Sequence, residues 1–105
     1  MIDVISQSGA LAIDVIFKKF IQSGSEASAS ASVNLKAIFE TKAGKDNFDT
    51  LGTFFRLFIN KDNLDIQNND QFIINGKLYF VYETSLKSSN PFIKPFYQLS
   101  IDLKI

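Results

Sequence analysis

From Phe96 onward the chain alternates without interruption. Tyr97, Leu99, Ile101, Leu103 and Ile105 take one side, and Gln98, Ser100, Asp102 and Lys104 take the other. A period of two is that of a strand buried on one face, and this is the cleanest example in the sequence. Because the pattern runs to the last residue, the C-terminus is expected to be part of the sheet. Val33 to Glu40 behaves the same way, with Val33, Leu35, Ala37 and Phe39 opposite Asn34, Lys36, Ile38 and Glu40. Ile13 to Phe20 alternates in part: Ile13, Val15 and Phe17 face one way, Asp14, Ile16 and Lys18 the other. In FFRLFI, Phe55, Leu57 and Ile59 share a face, while Phe54 and Phe58 flank Arg56 on the opposite one.

The strongest local signal is QFIINGKLYFVYE, two apolar runs around Asn75-Gly76. A type I′ turn needs positive φ at both central residues, and Asn-Gly supplies it at least cost. Such a turn pairs Ile74 with Lys77, Ile73 with Leu78 and Phe72 with Tyr79. Both faces of this hairpin are apolar. One can line a core; the other needs a cover, either a second sheet or a partner subunit.

Between these runs lie polar stretches. SGSEASASAS has almost nothing to bury, and AGKDNFDTLG is rich in turn formers. Flexible loops are therefore expected over residues 22–32 and 42–52. NKDNLDIQNND reads as a turn, or one helical turn around Leu64 and Ile66, and SLKSSNPFIKP as the last loop. Residues 1–12 are weakly patterned and read as an N-terminal arm or a short helix, with 13–105 as one β domain. The expected fold is mostly all-β: a small antiparallel sandwich or barrel of five to seven strands.

Composition narrows the chemistry. The chain of 105 residues has no histidine and no cysteine, which removes an imidazole base, a thiol nucleophile, disulfides and thiolate zinc sites. Its five glycines are isolated, so no phosphate-cradling loop is present. Lys plus Arg and Asp plus Glu number 11 each. They divide evenly between the halves, which argues against a nucleic-acid face. No apolar run approaches the ~20 residues of a membrane-spanning helix, and the N-terminus lacks the basic segment of a secretory signal. DNFD and DNLD bear a superficial likeness to calcium loops but lack the ligand series, the central glycine and the closing glutamate. Asp46, Asp49, Asp62, Asp65 and Asp70 are thus expected to be solvated turn residues. Phe54, Phe58, Tyr79, Phe80 and Tyr82 are candidates for stacking bases on an oligonucleotide-binding barrel, with core packing the simpler role for them. No catalytic, metal or cofactor residue is assigned, and the chain is expected not to be an enzyme.

The segment from Ser23 to Ile105 resembles the phage lambda-type head–tail joining proteins. The loop SGSEASASAS leads into NLKAIFE, a strand ending in Phe-acidic. AGKDNFDTLG, FFRLFI and NNDQFIINGKLYFV follow in order, and YQLSIDLKI closes the domain. Asp70 matches an Asp of the family, and Asn69 stands where the family often has Gly. The region before this segment is shorter than the family's N-terminal helix. The resemblance implies a non-enzymatic virion assembly protein, found in the virion and, during assembly, in the host cytoplasm. Its implied partners are head completion or portal-side proteins and tail proteins. It would be a monomer in isolation and a homo-oligomeric, hexameric ring on assembly, with no membrane and no sequence-specific nucleic acid as partner. Candidate contact residues are Ser23, Ser25, Glu26 and Ser28 in the first loop, Lys45, Asp46 and Phe48 in the second, and Ile73, Leu78 and Phe80 on the hairpin.

Overall fold

Two three-stranded meanders close on each other in the computed structural model of the chain, which describes residues 2–7, 9–23, 26–45 and 51–104. Within these, side chains are described for all but residues 10, 20–23, 26–31, 42–45 and 51–53. A short helix α1 (Val4–Gln7) and a 3₁₀ turn at Gly9–Leu11 precede six strands. These are β1 (Ala12–Ser23), β2 (Glu26–Lys45), β3 (Leu51–Asn60), β4 (Gln71–Ile74), β5 (Lys77–Lys87) and β6 (Phe96–Leu103). All strand pairs are antiparallel, and the order β1-β2-β3-β6-β5-β4 returns to β1 as a closed barrel. The all-β expectation holds, and of its two architectures the barrel is the one adopted.

Closure follows from where the alternating side chains point. Val15, Phe17, Ala37, Leu57, Ile59, Phe72, Ile74, Tyr79, Val81, Tyr97, Leu99 and Ile101 are all buried in one cluster. Every strand contributes its apolar alternate, so one core is shared by all six. Aromatic rings fill it at two places. Phe39, Phe55 and Tyr79 meet with centroids 5.5–5.7 Å apart, and Phe17 lies 5.1 Å from Phe72. Such stacked, tilted and edge-on contacts add roughly 0.5–1.5 kcal/mol each beyond burial.

The hairpin register is the one the Asn-Gly turn dictates: Ile74 with Lys77, Ile73 with Leu78, Phe72 with Tyr79. Asn75 and Gly76 take φ of 52° and 79°, the left-handed values a type I′ turn requires. In β5 the pairing with β6 slips between Val81 and Glu83. The extra residue resets the alternation, so that Glu83 joins Tyr82 in being exposed.

The described parts of two expected loops are corrected; residues 24–25 and 46–50 lie outside the described residues. Residues 22–23 and 26–32 continue the β1–β2 ladder, down to Ser23 opposite Glu26. Residues 42–45 and 51–52 likewise extend the β2–β3 ladder, with Lys45 opposite Leu51. Ser and Ala alternate from Glu26 to Ser32, so the strand period is present there without any apolar residue to reveal it. The ladder rests on backbone hydrogen bonds, which every residue but proline offers. Beyond Lys18, β1 no longer pairs with β4, and before Phe55, β3 does not pair with β6. Both hairpins thus run on past the barrel wall as two-stranded arms. The radius of gyration, 14.3 Å, exceeds the roughly 13 Å of a compact chain of this length, as projecting arms require.

Residues 61–70 fold back onto one end of the barrel. Ile66 enters the core, Leu64 packs against it, and the Tyr97 hydroxyl donates to the Leu64 carbonyl at 3.0 Å. Asp62 and Asn69 have φ of 40° and 77°, so these two are chosen for turn geometry, as expected. Asp70 is the exception: it is not solvated but buried, and its surroundings are described below.

Candidate interaction surface

The outer wall of a solvated barrel should be polar. Across β1, β4 and β5 it is not. Ile16 stands opposite Ile73, and Ile73 opposite Leu78. These three form an unbroken apolar row on the outside, all half-buried. Beside the row lies an open groove of about 510 Å³ bordered by Ile16, Ile73, Asn34 and the Asn75-Gly76 turn. The Asp14–Lys36 ion pair, 2.7 Å long and well exposed, sits at its rim; exposed pairs of this kind contribute little to stability. One row further along β5, Phe80 lies opposite Gln71 on one side and Asp102 on the other. Its ring is 6.4 Å from that of Tyr82, which is 44% exposed.

Of the candidates chosen from sequence, Ile73 and Leu78 are brought together and Phe80 is near them. Ser23, Glu26, Ser28 and Lys45 lie on the arms, remote from that row along their strands: Ser23 opposite Glu26, Ser28 opposite Ile21, Lys45 opposite Leu51. Ser25, Asp46, Phe48 and Asp49 lie outside the described residues. Ile16 was missed. Its signal was present, as an apolar residue between Asp14 and Lys18 on their shared face. Core packing is right for Tyr79 but not for the other aromatics: Phe54, Phe58 and Phe80 are half-buried, and Tyr82 is exposed.

A second apolar area, of which the sequence candidates include only Phe58, surrounds Phe58 and Phe96, whose rings are 6.4 Å apart. With Ile93, Gln98 and Lys87 they line a groove of about 260 Å³. Phe92, 74% exposed, projects from the adjoining loop. The arrangement Phe-Arg-Phe in β3 carried this signal, because the face opposite Phe55 and Leu57 must point outward.

Charged groups are spent on holding the structure. Lys19 Nζ donates to Asp70 Oδ2 at 2.9 Å and to the Asp65 carbonyl at 2.8 Å, while the Gln67 N–H donates to the same carboxylate oxygen at 2.8 Å. Asp3 caps α1: its Oδ1 accepts the Ser6 N–H at 3.0 Å and the Asn60 side-chain amide at 2.9 Å. Lys94 stands 3.7 Å from Asp3 and 2.6 Å from Asp62. The Ser6 N–H, then Asn60 and, more weakly, Lys94 hold the Asp3 carboxyl down to about 2. The hydrogen bond and charge of Asp62 raise the Lys94 ammonium. Among the described residues no three carboxylates gather in a group that could hold a metal ion.

These features define a class: a small closed antiparallel barrel with a buried apolar core and apolar strips on its outer wall. The sequence matches no protein-family model and no curated protein.

Proposed function

We propose that this chain is a non-enzymatic assembly protein of a phage or prophage virion, joining head to tail through protein–protein contacts. The observation that carries the reading is the outward row Ile16–Ile73–Leu78. A contiguous apolar row on an outer wall is unfavourable in water and is relieved when another surface covers it. The side chains pointing inward form a buried apolar core, which favours the surface as the place where a partner binds. The arms add backbone edges available to neighbours. The lambda-type resemblance of residues 23–105 supplies the particular setting. Partners in this reading are portal-side and tail proteins, with ring formation on assembly.

Deleting the gene in its phage or prophage tests this. DNA-filled heads and free, unjoined tails in electron micrographs are the expected outcome. Intact virions after deletion, or flanking genes without capsid, portal or tail proteins, would overturn it.

A second reading is a barrel that binds single-stranded nucleic acid. It is favoured by the outward aromatics Tyr82, Phe80, Phe54 and Phe58, since bases stack on exposed rings. Salt-dependent binding of oligonucleotides would support it; no binding at low salt would remove it.

A further inference from the structure

We propose that the N-terminal strap, residues Ile2 to Gln7, is an exchangeable element, and that its docking site on one copy of the chain also receives the strap of a second copy. The strap lies across the outside of the barrel, and Asp3 within it stands 3.7 Å from the Lys94 ammonium. The Ile2 N–H donates to the Phe92 carbonyl, and the Lys94 N–H to the Ile2 carbonyl, both at 2.7 Å. Together they make a single parallel bridge between Ile2 and Ile93. Asp3 is held by Asn60. Of the strap's described residues Ile5 alone is fully buried, and it lies outside the cluster that forms the barrel core.

Three observations point to exchange. First, no strap residue belongs to a barrel strand or to the core cluster, so the barrel closes without it. Second, the docked arrangement leaves Asn60 Oδ1 buried without a hydrogen-bond partner. Release of the strap frees that oxygen, which offsets part of the loss of the Asn60–Asp3 hydrogen bond. Third, the chain leaves the strap through Gly9 at φ +59°, with open space around it. A left-handed glycine in the open can be re-aimed without steric cost.

The occupant follows from the site. The 92–94 backbone edge, Asn60 and the buried seat of Ile5 fit this strap sequence, and a second copy carries the same one. Exchange of an identical element is a low-cost route to oligomers. The strap's own short tether gives it an effective concentration on the order of mM. Dilute chains therefore keep the strap in place, and exchange occurs where copies are crowded or held side by side. This holds whatever the chain assembles with, and failure of the head–tail reading would leave it standing.

The absence of native cysteine makes the test direct. Full-length Ile2→Cys and full-length Ile93→Cys chains are mixed, refolded together at about mM concentration and oxidised. Across a bridged pair the thiols come within disulfide reach only if straps have exchanged. A mixture of Asn68→Cys and Ile93→Cys chains measures chance encounters, Asn68 being exposed and outside the strap. Exchange predicts disulfide-linked heterodimer about tenfold above that control, rising with concentration. Equal yields from both mixtures at every concentration would overturn the proposal. If Ile93→Cys misfolds, Asp3→Cys and Lys94→Cys chains, whose native side chains stand 3.7 Å apart, replace the pair.

Discussion

Lys19 of β1 and Asp70, the residue before β4, form an ion pair of 2.9 Å in which the carboxylate is 2% exposed and the ammonium 29%. It extends the seam that closes the barrel. β1 and β4 pair over three positions, Ile16 with Ile73, Phe17 with Phe72 and Lys18 with Gln71, and the ion pair is the next link along. The asymmetry of exposure decides which partner matters more. Lys19→Met removes the cation that compensates a buried carboxylate and should cost about 3 kcal/mol. Asp70→Asn keeps an acceptor for Gln67 and leaves an ammonium that can turn to water, so about 1 kcal/mol is expected. Urea unfolding of the two variants checks the order; equal losses would contradict it.

Acid should loosen the strap before it opens the barrel. Asp3 ionises at about 2 in the fold against 3.8 for an ordinary aspartate. A depressed carboxyl contributes stability that is fully present above pH 3.8 and lost as pH falls towards about 2. With the carboxylate partly exposed, the amount after solvent screening is about 1 kcal/mol. Melting temperatures followed from pH 5 to 2 should fall, and the fall should be shallower in Asp3→Asn.

At the hairpin turn the cost lies in the backbone alone. A Cβ on Gly76 would meet nothing within 4 Å, yet φ is +79°. Gly76→Ala should therefore destabilise by about 1 kcal/mol through the left-handed conformation. Thermal denaturation measures it, and a neutral result would mean the turn relaxes.

The two faces of β4 should separate stability from binding. Phe72 is fully buried in the core, and Phe72→Ala should cost about 3–5 kcal/mol. Ile73, its neighbour, faces outward. Ile73→Glu should change stability by no more than about 1 kcal/mol while abolishing joining of heads to tails in a complementation assay. Full joining by a folded Ile73→Glu protein would exclude the row from the contact surface.

Much of this architecture was legible in the sequence because its strands bury one face. The alternation in β6, and the Asn-Gly turn with its register, carried their own physical signals. Closure into a barrel did not, because the β1–β4 seam joins residues far apart in sequence and no local pattern records which edges meet. The arms were read as loops because Ser and Ala give the ladder no apolar contrast. Asp70 sat in a run of turn-forming residues, and only the fold brings Lys19 to it. For the surface, the hairpin's second apolar face announced Ile73 and Leu78, whereas Ile16 joins them only through β1–β4 pairing.

The short seam has a consequence for how the molecule opens. Eleven residue pairs join β1 to β2, but three join β1 to β4. Local opening follows the weakest ladder, so amide protons at Ile16–Lys18 and Gln71–Ile73 should exchange with solvent ahead of those in β3 and β6. What opens there is an unrolled six-stranded sheet with β1 and β4 as bare edges, the form in which sheets stack into aggregates. The Lys19–Asp70 pair, placed where that unzipping would start, acts as a safety catch on the protein's solubility.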